Sequence, residues 1–108
     1  MTKFETIKHK YLNTYWKILQ NGDIKILRII DVEPLSEQDT YKLYTNTVIQ
    51  HKETYEFIED SMTLEHFIWC NKQQVDSEAM KRMVNRCIEY LTVINTFPKV
   101  CTQVNTKI

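Results

Sequence analysis

One glycine (Gly22), one alanine (Ala79) and two prolines (Pro34, Pro98) are all that 108 residues contain of these three types. A chain with a single glycine has no glycine-rich loop to cradle a phosphate and no glycine-flanked elbow to expose a nucleophilic serine. Long apolar runs are missing too. Stretches as short as Ile29-Ile30 and Phe67-Ile68-Trp69 neither span a bilayer nor form the core of a signal peptide. Cysteine is sparse and odd in number (Cys70, Cys87, Cys101), which argues against a disulfide framework and for reduced thiols, hence a cytoplasmic location. Codons for Ala, Gly and Pro are GC-rich, so their scarcity points to an AT-rich gene. That raises the expectation of a short viral, phage or mobile-element protein.

What is present is ordinary for a globular chain, at 43% hydrophobic and 26% charged residues. The length suits one modest core. Net charge is zero, but it is distributed in blocks. Residues 31–65 hold nine acids against two bases, whereas residues 1–30 and 66–108 each hold six bases, against two and three acids. The chain is basic at both ends and acidic between.

Thr2-Lys3-Phe4-Glu5 has the form of a capping box and predicts a helix start. Phe4, Ile7, Tyr11, Leu12, Tyr15, Ile18 and Leu19 recur at intervals that keep them on one helical stripe, which extends the predicted helix to Leu19. Asn21-Gly22 is then its left-handed end. A hairpin about the same dipeptide would set Lys17 against Ile26 and Ile18 against Lys25, and the helix is preferred for that reason.

Asp23–Glu33 is β-branched and apolar on both faces, with Ile24, Ile26, Ile30 and Val32 on one and Leu27 and Ile29 on the other. Pro34 closes this first strand. Tyr41–Ile49 and Thr54–Glu59 predict a hairpin, and a short helix over Met62–Cys70 is capped by Asp60 or Ser61. Asn71–Gln74 reads as a polar break. A long helix follows, capped by Asp76, striped by Met80, Met83, Val84, Cys87, Leu91 and Ile94, and stopped by Pro98. The expected fold class is therefore α+β: N-terminal helix, three-stranded antiparallel sheet, short helix and long C-terminal helix, with the helices packed on one face of the sheet. Residues 1–98 form a single domain in this reading, and 99–108 a C-terminal tail or short added strand.

No catalytic site is expected. Three cysteines and three histidines (His9, His51, His66) allow a Cys–His pair only by counting. Glu56 and Glu59 read as solvated acids rather than an acid/base dyad. His66 and Cys70 lie four apart, as two zinc ligands on a helix would, with Cys87 or Cys101 as candidates to complete a tetrahedral site, but the spacing matches no established zinc pattern, and Cys87 falls on an apolar stripe. No metal and no cofactor are expected.

The predicted order of helix, three strands and helix is similar to the double-stranded-RNA-binding domain. That resemblance implies nucleic-acid contacts from Lys8 and Lys10 in the first helix and Lys81 and Arg82 in the last. The final helix begins Val75-Asp76-Ser77-Glu78-Ala79-Met80, without the glycine-rich approach and lysine cluster of such domains. The preferred expectation is a non-enzymatic binding protein whose acidic, aromatic-containing surface (Glu53, Tyr55, Glu56, Glu59, Asp60 and Trp69) engages and inhibits or modulates a host protein. In its most specific form the acidic face competes for the nucleic-acid groove of a basic host protein. No membrane contact is expected.

Overall fold

The structure, a computed structural model, describes residues 2–51, 54–94 and 103–105, with the side chains of 54–55, 91–94 and 103–105 outside the description. The chain is α+β, built on an antiparallel sheet with three helices. Helix α1 (Lys3–Tyr11) starts at the predicted capping box, where the Glu5 amide donates to Thr2 Oγ1 at 3.1 Å and the Thr2 hydroxyl donates to Glu5 Oε1 at 3.0 Å. It stops well short of Gly22. The left-handed residue beyond its end is Asn13 (φ 62°), whose amide donates to Ile29 O at 2.8 Å.

The predicted long first helix is thereby corrected. Tyr15–Gln20 is strand β1 and Asp23–Pro34 is strand β2, joined by Asn21 (φ 54°) and Gly22 (φ 82°). Two successive positive φ values are what a two-residue hairpin turn with the right twist needs. The register is the one rejected from sequence: Lys17 opposite Ile26, Ile18 opposite Lys25, Leu19 opposite Ile24. The objection fails because a lysine stem can lie along apolar neighbours while its ammonium turns out. Lys25 Nζ, for example, donates to Gln20 Oε1 at 3.3 Å.

Strands β3 (Tyr41–Gln50) and β4 (Thr54–Thr63) complete a meander. Helix α2 (Leu64–Trp69) leads into β5 (Lys72–Gln74), which returns to pair with β1. The polar break predicted at Asn71–Gln74 is thus an edge strand, where polar side chains are tolerated because little covers them. Helix α3 (Glu78–Ile94) and β6 (Gln103–Asn105), paired with Thr54–Glu56, follow. The sheet order is β5-β1-β2-β3-β4-β6, so the three-stranded expectation is replaced by a larger sheet. The helix, three-strand, helix order behind the RNA-binding resemblance goes with it.

The helices are not on one face. Tyr11, Ile18, Leu27, Ile29, Val32, Leu43, Leu64 and Phe67 form a core between the sheet and α1 and α2. Tyr15, Ile26, Val75 and Val84 form another beneath α3, continued by Val48 and Phe57 against Cys87. Strand alternation puts these sets on opposite faces, as two-sided apolar patterning in β2 requires. A β-bulge at Ile29/Asp31 shifts Val32 onto the α1/α2 face, away from Ile24 and Ile26, and leaves Ile30 exposed.

Helix α3 is oriented by a polar link. Asn85 Oδ1 accepts from Tyr15 Oη at 2.8 Å and from Arg28 Nη1 at 3.1 Å, tying the helix to β1 and β2. Its start is set by Ser77 rather than Asp76, since Ser77 Oγ accepts the Met80 amide. The predicted stop at Pro98 lies outside the described residues. No helix among the described residues is long and apolar enough to cross a membrane.

Candidate partner-binding groove

Helix α2 is only six residues long, and its two inward positions are filled. Phe67 is fully buried, meeting Tyr11 and Trp16 edge-on at centroid distances of 5.8 and 5.1 Å, and Leu64 lies beside it in the core. At about 100° per residue, burying positions 64 and 67 turns 65 and 69 outward, while 68, about 40° round from 64, sits at the margin of the buried face. Ile68 is 57% exposed and Trp69 84% exposed. Thr63 caps the helix by accepting the His66 amide at 3.1 Å, and the Cys70 amide closes the other end on His66 O and Phe67 O. This short, doubly capped helix fixes the backbone positions from which the two exposed apolar side chains project.

Opposite them is the β2–β3 loop, residues 35–40. Leu35 N–H donates to Thr40 O at 2.9 Å, the Thr40 hydroxyl donates to Glu37 O at 2.7 Å, and Asp39 takes a positive φ of 62°. Lys3 of α1 pairs with Asp39 at 3.1 Å while Phe4 stacks on Tyr41, so the N-terminal helix braces the loop. Between loop and helix lies a groove of about 630 Å³, within the size range of ligand pockets. Leu35, Tyr41, Leu64, Ile68 and Trp69 make its apolar surface, and Glu37, Asp39 and Glu65 its charged groups. On its far side Trp69 shares a smaller depression with Leu19, 53% exposed at the tip of the β1–β2 hairpin. Single exposed apolar residues are commonplace, whereas several gathered around one groove mark an interaction surface.

Of the residues singled out from sequence, Trp69 is in this groove. Glu53 lies outside the described residues, and Tyr55 is placed only by register, opposite Gln50 and Val104. The remaining acids do not share one surface. β4 alternates, so Glu59 stands on the α3 face with Phe57, and Glu56 and Asp60 on the other with Met62. Glu56 is also engaged at 3.5 Å by His51 Nε2, whose Nδ1 faces Asp23 at 3.8 Å. Asp60 lines a separate cavity of about 230 Å³ with Lys25, Ser61, His66 and Cys70. The proposed nucleic-acid set is divided as well. Lys8 and Lys10 are on α1, and Lys81 and Arg82 on α3, across the sheet. Lys8 lies 3.8 Å from Asp31, and Lys81 lies 3.8 Å from Glu78 and over the Tyr15 ring.

Cys87, the one zinc-ligand candidate on α3, is across the sheet from His66 and Cys70, and Cys101 lies outside the described residues. Among the described residues no three His, Cys, Asp or Glu side chains are gathered for a metal. Burial against Val48 and Phe57 pushes the Cys87 thiol up to about 11, which keeps it protonated and unreactive at neutral pH. Tyr44 is raised from its ordinary value chiefly because its hydroxyl donates to the Glu33 carboxylate.

Sequence reasoning reached Trp69 but missed Ile68, Leu35 and Leu19. A usable signal for Trp69 was the spacing inside the Met62–Cys70 segment, since with Leu64 and Phe67 facing in, position 69 points away; Ile68 has none, because i, i+3 and i+4 share a helix face. Leu35 and Leu19 carry no such signal, because a loop and a hairpin tip have no period. No family model, no curated protein and no solved structure matches the chain.

Proposed function

We propose that this chain is a small non-enzymatic binding protein, an accessory factor of viral, phage or mobile-element origin, that engages and modulates a host protein. The supporting observation is the outward pair Ile68 and Trp69 beside the groove, on a helix whose core-facing positions are already occupied. Tryptophan in such a place supplies a large, rigid contact area at little conformational cost, and it is among the residues that dominate binding energy at protein interfaces. The acidic, aromatic-containing surface expected from sequence is retained in kind but relocated. Trp69 stays, and Glu37 and Glu65 take the place of acids spread along β4.

The test is affinity capture from host extract with the tagged full chain, beside a Trp69→Ala variant, each with and without nuclease. A protein retained by the wild-type chain, lost with Trp69→Ala and unaffected by nuclease is the expected outcome. Retention that survives Trp69→Ala, or that disappears on nuclease treatment, refutes the reading.

A further inference from the structure

The groove has a charge pattern as well as an apolar surface. Among the described residues three carboxylates line it and no cation does. Asp39 is neutralised by Lys3 at 3.1 Å and serves to hold the loop. Glu37 and Glu65, both exposed and lining the groove from loop and helix, have no ion-pair partner among the described residues. An apolar cleft between two uncompensated carboxylates repels acidic partners and favours cations at its margins.

From this we infer, resting on the partner-binding reading above, that the occupant is a short basic peptide segment. It places one bulky apolar side chain on Ile68 and Trp69 and sets Lys or Arg residues beside it against Glu37 and Glu65. The volume supports a segment rather than a broad face. About 630 Å³ takes a small cluster of side chains, as small-ligand and peptide sites do. The braced loop and the capped helix supply a preformed site, so little ordering cost falls on the protein when the peptide binds. Flanking cations contribute modestly at exposed positions, and their larger role is to select the partner and speed encounter.

Selection from a random displayed-peptide library against the full chain at low salt tests this directly. The expected winners carry an aromatic or large aliphatic residue flanked by Lys or Arg, and are lost when the bait is Trp69→Ala. A Glu37→Lys/Glu65→Lys bait should turn the preference to Asp- and Glu-flanked peptides. A winning peptide, resynthesised, should bind this double variant roughly two- to twentyfold more weakly than wild type, as expected for two exposed ion pairs. That difference should shrink as salt is raised. Trp69-dependent winners with no basic preference overturn the peptide inference and leave the Trp69 surface reading standing. Absence of any Trp69-dependent winner overturns the inference as well, while the extract capture judges the broader reading independently. A micromolar homodimer in sedimentation analysis that Trp69→Ala dissociates also overturns it, by making a second copy the occupant.

Discussion

Replacing Gly22 by L-alanine and by D-alanine separates the backbone from everything else at the β1–β2 turn. A Cβ built on Gly22 in the L configuration meets no atom within 4 Å, so L-alanine gains or loses no contact there and only the dihedral preference changes. At φ 82° an L-residue lies in the left-handed region, which costs about 1–2 kcal/mol. Either alanine restricts the unfolded chain and recovers about 0.4–1 kcal/mol. L-Ala should therefore destabilise the domain by up to about 1.5 kcal/mol, and D-Ala, which prefers positive φ, should stabilise it by about 0.4–1 kcal/mol. For a domain near this size each kcal/mol moves the midpoint by about 4–8 °C. Thermal unfolding of three chemically synthesised chains, followed by far-UV circular dichroism, reads the difference. If the two epimers unfold at the same temperature, or D-Ala is the less stable, Gly22 is not held at positive φ and the hairpin assignment fails with it.

The two aromatic residues of α2 should separate stability from binding: Phe67→Ala costs about 3–5 kcal/mol in urea unfolding, whereas Trp69→Ala stays within about 0.5 kcal/mol of wild type and loses only partner binding. Asn85→Ala strands the Tyr15 hydroxyl and an Arg28 donor, so a loss of about 1–3 kcal/mol is expected, and an Asn85→Asp chain should recover part of it by restoring the acceptor. The Cys87 thiol, which burial raises in the folded state from an ordinary value of 9.0 to about 11, binds its proton more tightly folded than unfolded. Its contribution to stability is present in full below pH 9 and is lost as pH rises from 9 towards 11, a decline that Cys87→Ala should abolish in stability measured across that range. Site-resolved iodoacetamide labelling of the native chain should correspondingly leave Cys87 unmodified at pH 7.5.

Legibility from sequence varied with how local the governing interactions are. The capping box at Thr2–Glu5, the strands beginning at Tyr41 and Thr54, and the helix through Met80–Cys87 were readable because each is specified within a few residues by caps and by period. The first helix was overextended because Tyr15, Ile18 and Leu19 happen to continue the spacing of Phe4, Ile7 and Tyr11. As a strand the same segment sends Tyr15 into one core and Ile18 into the other, with no period to announce it, and the apparent mismatch of Lys17 with Ile26 ignored what a lysine stem can cover. Strand β5 was invisible because Lys72-Gln73-Gln74 has no strand signature, and it is a strand only because β1 offers an edge there. The switch of Val32 to the other face followed from a bulge that no pattern in β2 announces.

By itself the sequence determined that this is an α+β chain with antiparallel strands, where its first helix begins, and that residues 31–65 concentrate its acids. Those properties rest on local propensity, capping and charge count, which need no partner far along the chain. The tertiary structure alone decided that Asn21-Gly22 turns a hairpin, that α3 covers the opposite face from α1 and α2, and that acids neighbouring in β4 are parted by strand alternation. It also decided which carboxylates meet Trp69. Glu37 and Glu65 are separated by 27 intervening residues and line one groove only because a loop braced by the first helix and a helix anchored by buried Leu64 and Phe67 are brought together.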